Sequence, residues 1–197
     1  MVDVKSSNSK FIKNLKISIE NLSSEEKILN EITEIFIKKR ENGNKIIVFG
    51  NGGSASTSSH FVSDLLKTSI VKDSKRFRAI SLVDNIPVMT AWSNDVSYDD
   101  IFIEQLKNFI ESGDLIVAFS GSGKSENVVR AMKYAKESNA TVIGFTGMSG
   151  GVFPDICDIC HIVPNNDMLI IESIHVMLCH CIISTMRNLG DPQFKYE

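Results

Sequence analysis

The chain has 197 residues and a formal net charge of −3, with acidic and basic side chains interspersed. That length supports one α/β domain with a substantial core, and the charge pattern lacks the basic stripe a nucleic-acid partner would need. No uninterrupted apolar run reaches the roughly 18 residues of a membrane span, and no signal-peptide pattern opens at Met1, so the expectation is a cytoplasmic protein with no membrane partner.

Met1 to Ser9 is polar and reads as a frayed end. From Phe11 to Lys39 apolar residues recur at helical spacing: Phe11, Ile12, Leu15 and Ile19, then Ile28, Leu29, Ile32, Ile35 and Phe36. Between them, Ser23-Ser-Glu-Glu-Lys marks a break and a new helix start, with serine capping and acids in the first turn. Two apolar-striped helices ahead of any strand suit an oligomer contact. Residues 1–40 are therefore expected to be an oligomerisation segment, followed by a single domain over 41–197.

That domain alternates strands and helices. Ile46–Phe49 is a short apolar run suited to a strand buried on both faces, and Ser56 to Leu66 reads as the following helix. Ala79–Leu82 predicts the second strand, with a helix after Pro87 and another over Ile101 to Ile110. Asp114–Phe119 predicts a third strand, then a helix burying Val128, Val129, Met132 and Ala135. Thr141–Phe145 and Ile159–Val163 complete the strands, and Leu169 to Leu189 is a long helix, apolar nearly all round. Such alternation implies α/β architecture: a parallel sheet covered by helices on both faces, with ligands at the carboxyl ends of the strands.

Two loops fall at such ends. Gly50-Asn-Gly-Gly-Ser54 joins the first strand to its helix, and Ser120-Gly-Ser-Gly-Lys-Ser125 does the same for the third. Glycines let a ligand approach the backbone, and a helix start offers N–H groups and a positive dipole end to a phosphate. The serine loop adds three hydroxyls suited to a phosphate monoester. It lacks Walker A spacing, so no nucleotide cofactor is expected. His60 and Asp64, four residues apart, share a helix face just beyond the glycine turn. As an isolated pair they could equally be a surface contact worth about 0.2–0.5 kcal/mol.

Four cysteines fall late, at positions 157, 160, 179 and 181. Cys157-Asp-Ile-Cys160 has C-x-x-C spacing, but Cys160 leads into a strand rather than opening a helix. All four read as reduced packing residues. His161 and His175 have no supporting pattern and read as structural, and Trp92 reads as packing under its loop.

Gly50–Ser54, His60-Phe-Val-Ser-Asp64, Asn94-Asp95, Ser120–Ser125 and the Glu172 to His180 stretch stand in an order and spacing that resembles the sugar isomerase (SIS) domain family. Within it, the chain is similar to the bacterial phosphoheptose isomerases. The resemblance implies a flavodoxin-like three-layer α/β/α sandwich with a five-stranded parallel sheet. It also implies a homotetramer whose active sites are shared between neighbours. The implied reaction converts sedoheptulose 7-phosphate to D-glycero-D-manno-heptose 7-phosphate, for heptose-containing surface polysaccharides. Carried over by position, Ser120, Gly121, Ser122 and Ser125 would hold the phosphate. Asn51, Gly52, Gly53, Ser54, Asn94, Asp95, Asp64 and Glu172 would line the sugar. His60, Asp64, Glu172 and His180 would bind zinc, one ion per subunit, and Asp64 and His180 would carry acid–base roles.

Ketose-to-aldose isomerisation moves a proton between adjacent carbons through an enediol, work suited to a carboxylate beside an imidazole. Two positions depart from the family's usual residues: Asp64 stands in place of Glu, and Glu172 in place of Gln. The Asp167-Met-Leu-Ile-Ile-Glu172 stretch also lacks the usual Thr and Arg. These departures leave two alternatives: an isomerase of another sugar phosphate, or a non-catalytic SIS protein binding a sugar phosphate or a protein partner, as in members that assist the replication initiator.

Overall fold

A computed structural model describes residues 4–22 and 26–195. The elements run α1 (Val4–Leu22), α2 (Glu26–Asn42), β1 (Lys45–Gly50), α3 (Gly53–Ser63), β2 (Arg78–Ser81), α4 (Ile86–Asp95), α5 (Ile103–Phe109), β3 (Leu115–Ser120), α6 (Glu126–Glu137), β4 (Thr141–Gly147), β5 (Ile159–Val163) and α7 (Met168–Arg187). A π-helical turn over Asp64–Thr68 continues α3 without a break. The strands form one parallel sheet in the order β2-β1-β3-β4-β5.

Both β1 and β3 are buried along their whole length, which is why they read as continuous apolar runs rather than alternating ones. Their side chains divide by parity. Ile46 and Val48 face a core layer with Phe36 of α2, Phe61 of α3 and Ile174 and Leu178 of α7. Ile47 and Phe49 face the opposite layer with Phe102, Leu106 and Val128. α3 and α7 therefore share one side of the sheet, and α5 and α6 the other. Gly50 pairs with Phe119, and Ser120 with Thr146, so the glycine turn and the serine loop leave the sheet level with each other. They flank the β1/β3 boundary, where connections diverge to opposite edges and open a crevice.

Several boundaries differ from expectation. α1 begins at Val4, so most of the segment expected to fray is helical; its inner face, Phe11 and Leu15, packs on the core, and the helix propagates outward from that anchor. α3 starts at Gly53 rather than Ser56, directly after Gly52 takes φ 56° at the helix N-cap. The anticipated serine cap at Ser23 lies outside the described residues. α7 is capped by Asp167, whose carboxylate accepts the Leu169 N–H at 3.0 Å. Among the described residues α7 is long and apolar enough to cross a membrane by composition, but here it is a core helix with Ile170, Ile171, Ile174, His175 and Leu178 buried.

All four cysteines are free, and burial pushes the Cys179 thiol well above its ordinary value. His161 and His175 are buried, and desolvation pushes the pKa of each down to about 4. Both are neutral when folded. Between pH 6.5 and 4 the unfolded chain binds protons that the folded chain excludes, so stability falls as pH drops through that window and is level above it. Each histidine accounts for about 3 kcal/mol of loss once pH is below the lower value. Urea midpoints of wild type and His161→Leu, compared at pH 7 and pH 4.5, should show the variant losing markedly less on acidification.

Candidate active site

The crevice is built from two strand ends. After Gly50 the chain turns through Gly52, whose left-handed φ suits glycine, and α3 begins with its N-terminus aimed across the opening. Gly53 supplies a different need: a Cβ there would collide with the Glu172 carboxylate, which lies directly against the glycine backbone. Across the crevice, Ser120 Oγ and Ser125 Oγ are 3.2 Å apart, and Ser122 Oγ accepts the Lys124 N–H at 3.3 Å. Ser125 occupies the N-cap of α6, yet its hydroxyl makes no capping bond to that helix. The first-turn N–H groups of α6 and the serine hydroxyls thus converge on the same space, an arrangement that accepts a phosphate. The cleft has a volume of about 230 Å³ and is lined by Asn51 to Ser54, Ser120 to Ser122, Ser125, Met168 and Glu172.

Glu172 and Gly53 also border a neighbouring hollow of about 510 Å³, whose other walls include Phe11, Ser56, His60, Leu169 and Val176. These two residues therefore link the serine loop to a polar cluster about two helical turns farther along α3. His60 Nε2 is 2.8 Å from His180 Nε2, 3.4 Å from Asp64 Oδ2, and His180 Nε2 is 3.7 Å from the same oxygen. Asp64 opens the π turn, and Thr68 Oγ1 donates to its Oδ1 at 2.8 Å. That bond leaves Oδ2 as the oxygen facing both rings. The imidazoles are about half exposed, at 51% and 54%, while Asp64 is 15% exposed. Reagents can therefore reach the rings, and the carboxylate is sheltered.

This donor set fits a zinc ion. The three ligand atoms lie within 4.8 Å of one another. Bonds of 2.0–2.1 Å with tetrahedral angles would separate donors by about 3.3 Å, close to the two imidazole–carboxylate distances. Two imidazoles and one carboxylate also leave a coordination position open, as catalytic sites do. Glu172 stands outside the cluster. Glu172 precedes His180 by eight residues on the same helix, about 12 Å of rise, and its carboxylate instead faces Gly53 and the crevice.

Asn94 and Asp95 are not drawn into the cleft. They lie exposed at the end of α4, where Asn94 Nδ2 donates to Asp95 Oδ1 at 2.8 Å, and Asp95 borders a separate depression with Val88 and Trp92. Three residues near the site escaped sequence reasoning. Thr68 fixes Asp64; its only signal is an i+4 hydroxyl. Tyr98 and Asn127 both bond to Asn51. Asn127 was legible in principle, as a polar residue at a position of α6 whose neighbours Val128 and Val129 are core.

Residues 10–147 match the SIS domain family. The phosphoheptose isomerase of Clostridium acetobutylicum is 38% identical over 177 residues, covering 85% of this chain and 88% of that protein. That of Aliarcobacter butzleri is 37% identical, covering 81% and 84% respectively. Among solved structures, a phosphoheptose isomerase from Francisella tularensis superposes with a TM-score of 0.87 at 27% identity, over 95% of this chain and all of that one (100%).

Gly53→Ala tests the crevice directly. The atoms it meets belong to the far end of a flexible side chain, so Tm should barely change. Turnover of sugar phosphate should fall by about 100-fold, because the displaced Glu172 carboxylate moves by about an ångström. Unchanged turnover would show that the position of Glu172 is immaterial.

Proposed function

The chain belongs to the SIS domain family, and we propose that it is an aldose–ketose isomerase converting sedoheptulose 7-phosphate to D-glycero-D-manno-heptose 7-phosphate. The observation that carries this reading is the placement of the His60–Asp64–His180 cluster next to a phosphate-type cleft, joined through Glu172 and Gly53. A molecule anchored by its phosphate at one end and reacting at the other needs that separation.

In this reading Ser120, Ser122 and Ser125 and the Gly121 backbone hold the phosphate. Asn51, Gly52, Gly53, Ser54 and Glu172 line the chain of hydroxyls, while Asn94 and Asp95, at the end of α4, stand apart from that set. Asp64 Oδ2 takes a proton from the carbon beside the carbonyl and returns it to the neighbouring carbon. His180, 3.7 Å from that oxygen, moves protons on the substrate oxygens. Thr68 keeps the other carboxylate oxygen occupied, so the proton is handled at Oδ2. His60, His180 and Asp64 would hold zinc, which supplies polarisation of the carbonyl when bound. A ring nitrogen bonded to the ion has its lone pair engaged, so proton transfer on the oxygens by His180 belongs to the metal-free protein, and with zinc bound His180 would serve as a ligand. Free cysteines agree with a cytoplasmic location.

We further propose a homotetramer in which residues 1–40 form the contact segment. Ile12, Ile17 and Ile19 on α1 are 57%, 46% and 41% exposed, an apolar surface that association would cover. Isomerisation of a different sugar phosphate is the second reading, favoured by Met168, whose sulfur packs over Gly121 and gives the cleft an apolar lip.

Purified protein supplied with zinc and sedoheptulose 7-phosphate should yield the aldose, and Asp64→Asn should lower kcat by about 100- to 10,000-fold. Inorganic phosphate should inhibit wild type and variant alike. Turnover that survives Asp64→Asn would remove Asp64 as the base. Absence of any product, with phosphate still bound, would favour a non-catalytic member of the family.

A further inference from the structure

Asn51 is held by a relay that reaches back to the main chain of α6. Its Nδ2 donates to Asn127 Oδ1 at 2.8 Å, and Asn127 Nδ2 donates to Asn51 Oδ1 at 3.0 Å. The Tyr98 hydroxyl donates to the same Asn51 oxygen at 2.9 Å. The Val128 backbone N–H donates to Asn127 Oδ1 at 2.9 Å. Asn127 is 2% exposed, so this pairing is shielded from water.

The polarity of the relay follows from its last member. A backbone N–H can only donate, so the Asn127 atom beside Val128 must be oxygen and its other terminal atom nitrogen. That nitrogen can only donate in turn, so the Asn51 atom facing it must be oxygen. Asn51 Oδ1 then has both lone pairs engaged, by Asn127 and by Tyr98. One Nδ2 hydrogen is engaged by Asn127, and the other has no protein partner among the described residues, in a side chain that lines the serine-loop cleft. An unrestrained amide could rotate to offer either its carbonyl or its N–H.

We infer that Asn127 is a positioning residue that locks Asn51 as an N–H donor toward an acceptor oxygen of the bound sugar, with the Val128 backbone amide setting the direction. This rests on the isomerase reading. A fixed donor suits the oxygen that gains negative charge as a proton leaves the adjacent carbon, and it costs no reorganisation at that moment. It also ties the glycine turn after β1 to the helix that follows the serine loop, so both halves of the cleft share one hydrogen-bonded reference.

The test is a double-mutant cycle on turnover, using Asn127→Leu, which keeps the shape and removes the amide, and Asn51→Ala. Asn127→Leu alone should lower kcat by about 10- to 100-fold, with KM and inhibition by inorganic phosphate altered by less than about threefold. In the Asn51→Ala background the same change should lower kcat by less than about twofold, since its route of action is gone. Equal losses in both backgrounds would show a purely structural role, and no loss in either would remove the relay altogether. Should Asn127→Leu fold poorly, Tyr98→Phe, at a residue 52% exposed, removes only one hydroxyl. It should lower kcat about threefold, the worth of one neutral hydrogen bond, and only while Asn51 is present. Full activity in Tyr98→Phe would contradict the lock. A wild-type protein with no isomerase turnover would instead overturn the underlying reading, with the inference falling alongside it.

Discussion

The contact between α3, with its π turn, and α7 is the constraint on which the proposed chemistry depends. His60 and His180 are 120 residues apart in sequence, yet their ring nitrogens meet at 2.8 Å. Nothing local brings them together. The sheet order places both helices on the same face, and apolar side chains hold them there: Phe61, Val62 and Leu65 on one, Ile174, Leu178 and Ile182 on the other. A slip of α7 by one turn, about 5.4 Å, would carry His180 out of reach of both His60 and Asp64. The register of a hydrophobic interface thus sets the geometry of a polar site, and large-to-small changes in that interface would be felt as loosened chemistry as well as lost stability.

The π turn has a part in this register. Asp64 begins a segment wound with an extra residue per turn, and such segments are frequent at functional sites. The turn and the Thr68 hydroxyl together decide which carboxylate oxygen looks into the cluster. An aspartate has one methylene less reach than a glutamate would, and the local winding and the Thr68 hydroxyl define its remaining freedom.

Much of this was legible in the sequence because the signals were local. Ile46 to Phe49 and Leu115 to Phe119 announced buried parallel strands, and the glycines and serines after them announced loops that approach a ligand. His60 and Asp64 were legible as a pair, since helix periodicity alone puts them on one face. His180 was harder: it sits in a run, Met177 to Ile183, whose composition suggests interior, yet its side chain is 54% exposed. Composition along a helix does not report which stripe a neighbouring element leaves open. The π winding, the Thr68 bond and the Asn51–Asn127 relay were not legible, because each depends on atoms brought together by tertiary packing. Asn94 and Asp95, grouped with the sugar site by resemblance, stand outside the cleft at the end of α4, where Asp95 borders a separate depression.

The account rests on two imidazoles and one carboxylate forming a single coordination site beside the cleft. X-ray absorption at the zinc edge of the metal-loaded protein addresses this most directly, because it reports the atoms bonded to the ion. The predicted spectrum shows two imidazole nitrogens and a carboxylate oxygen as nearest neighbours, with no sulfur. A spectrum dominated by sulfur, placing the ion at Cys157 and Cys160, or one without imidazole scattering, would contradict it.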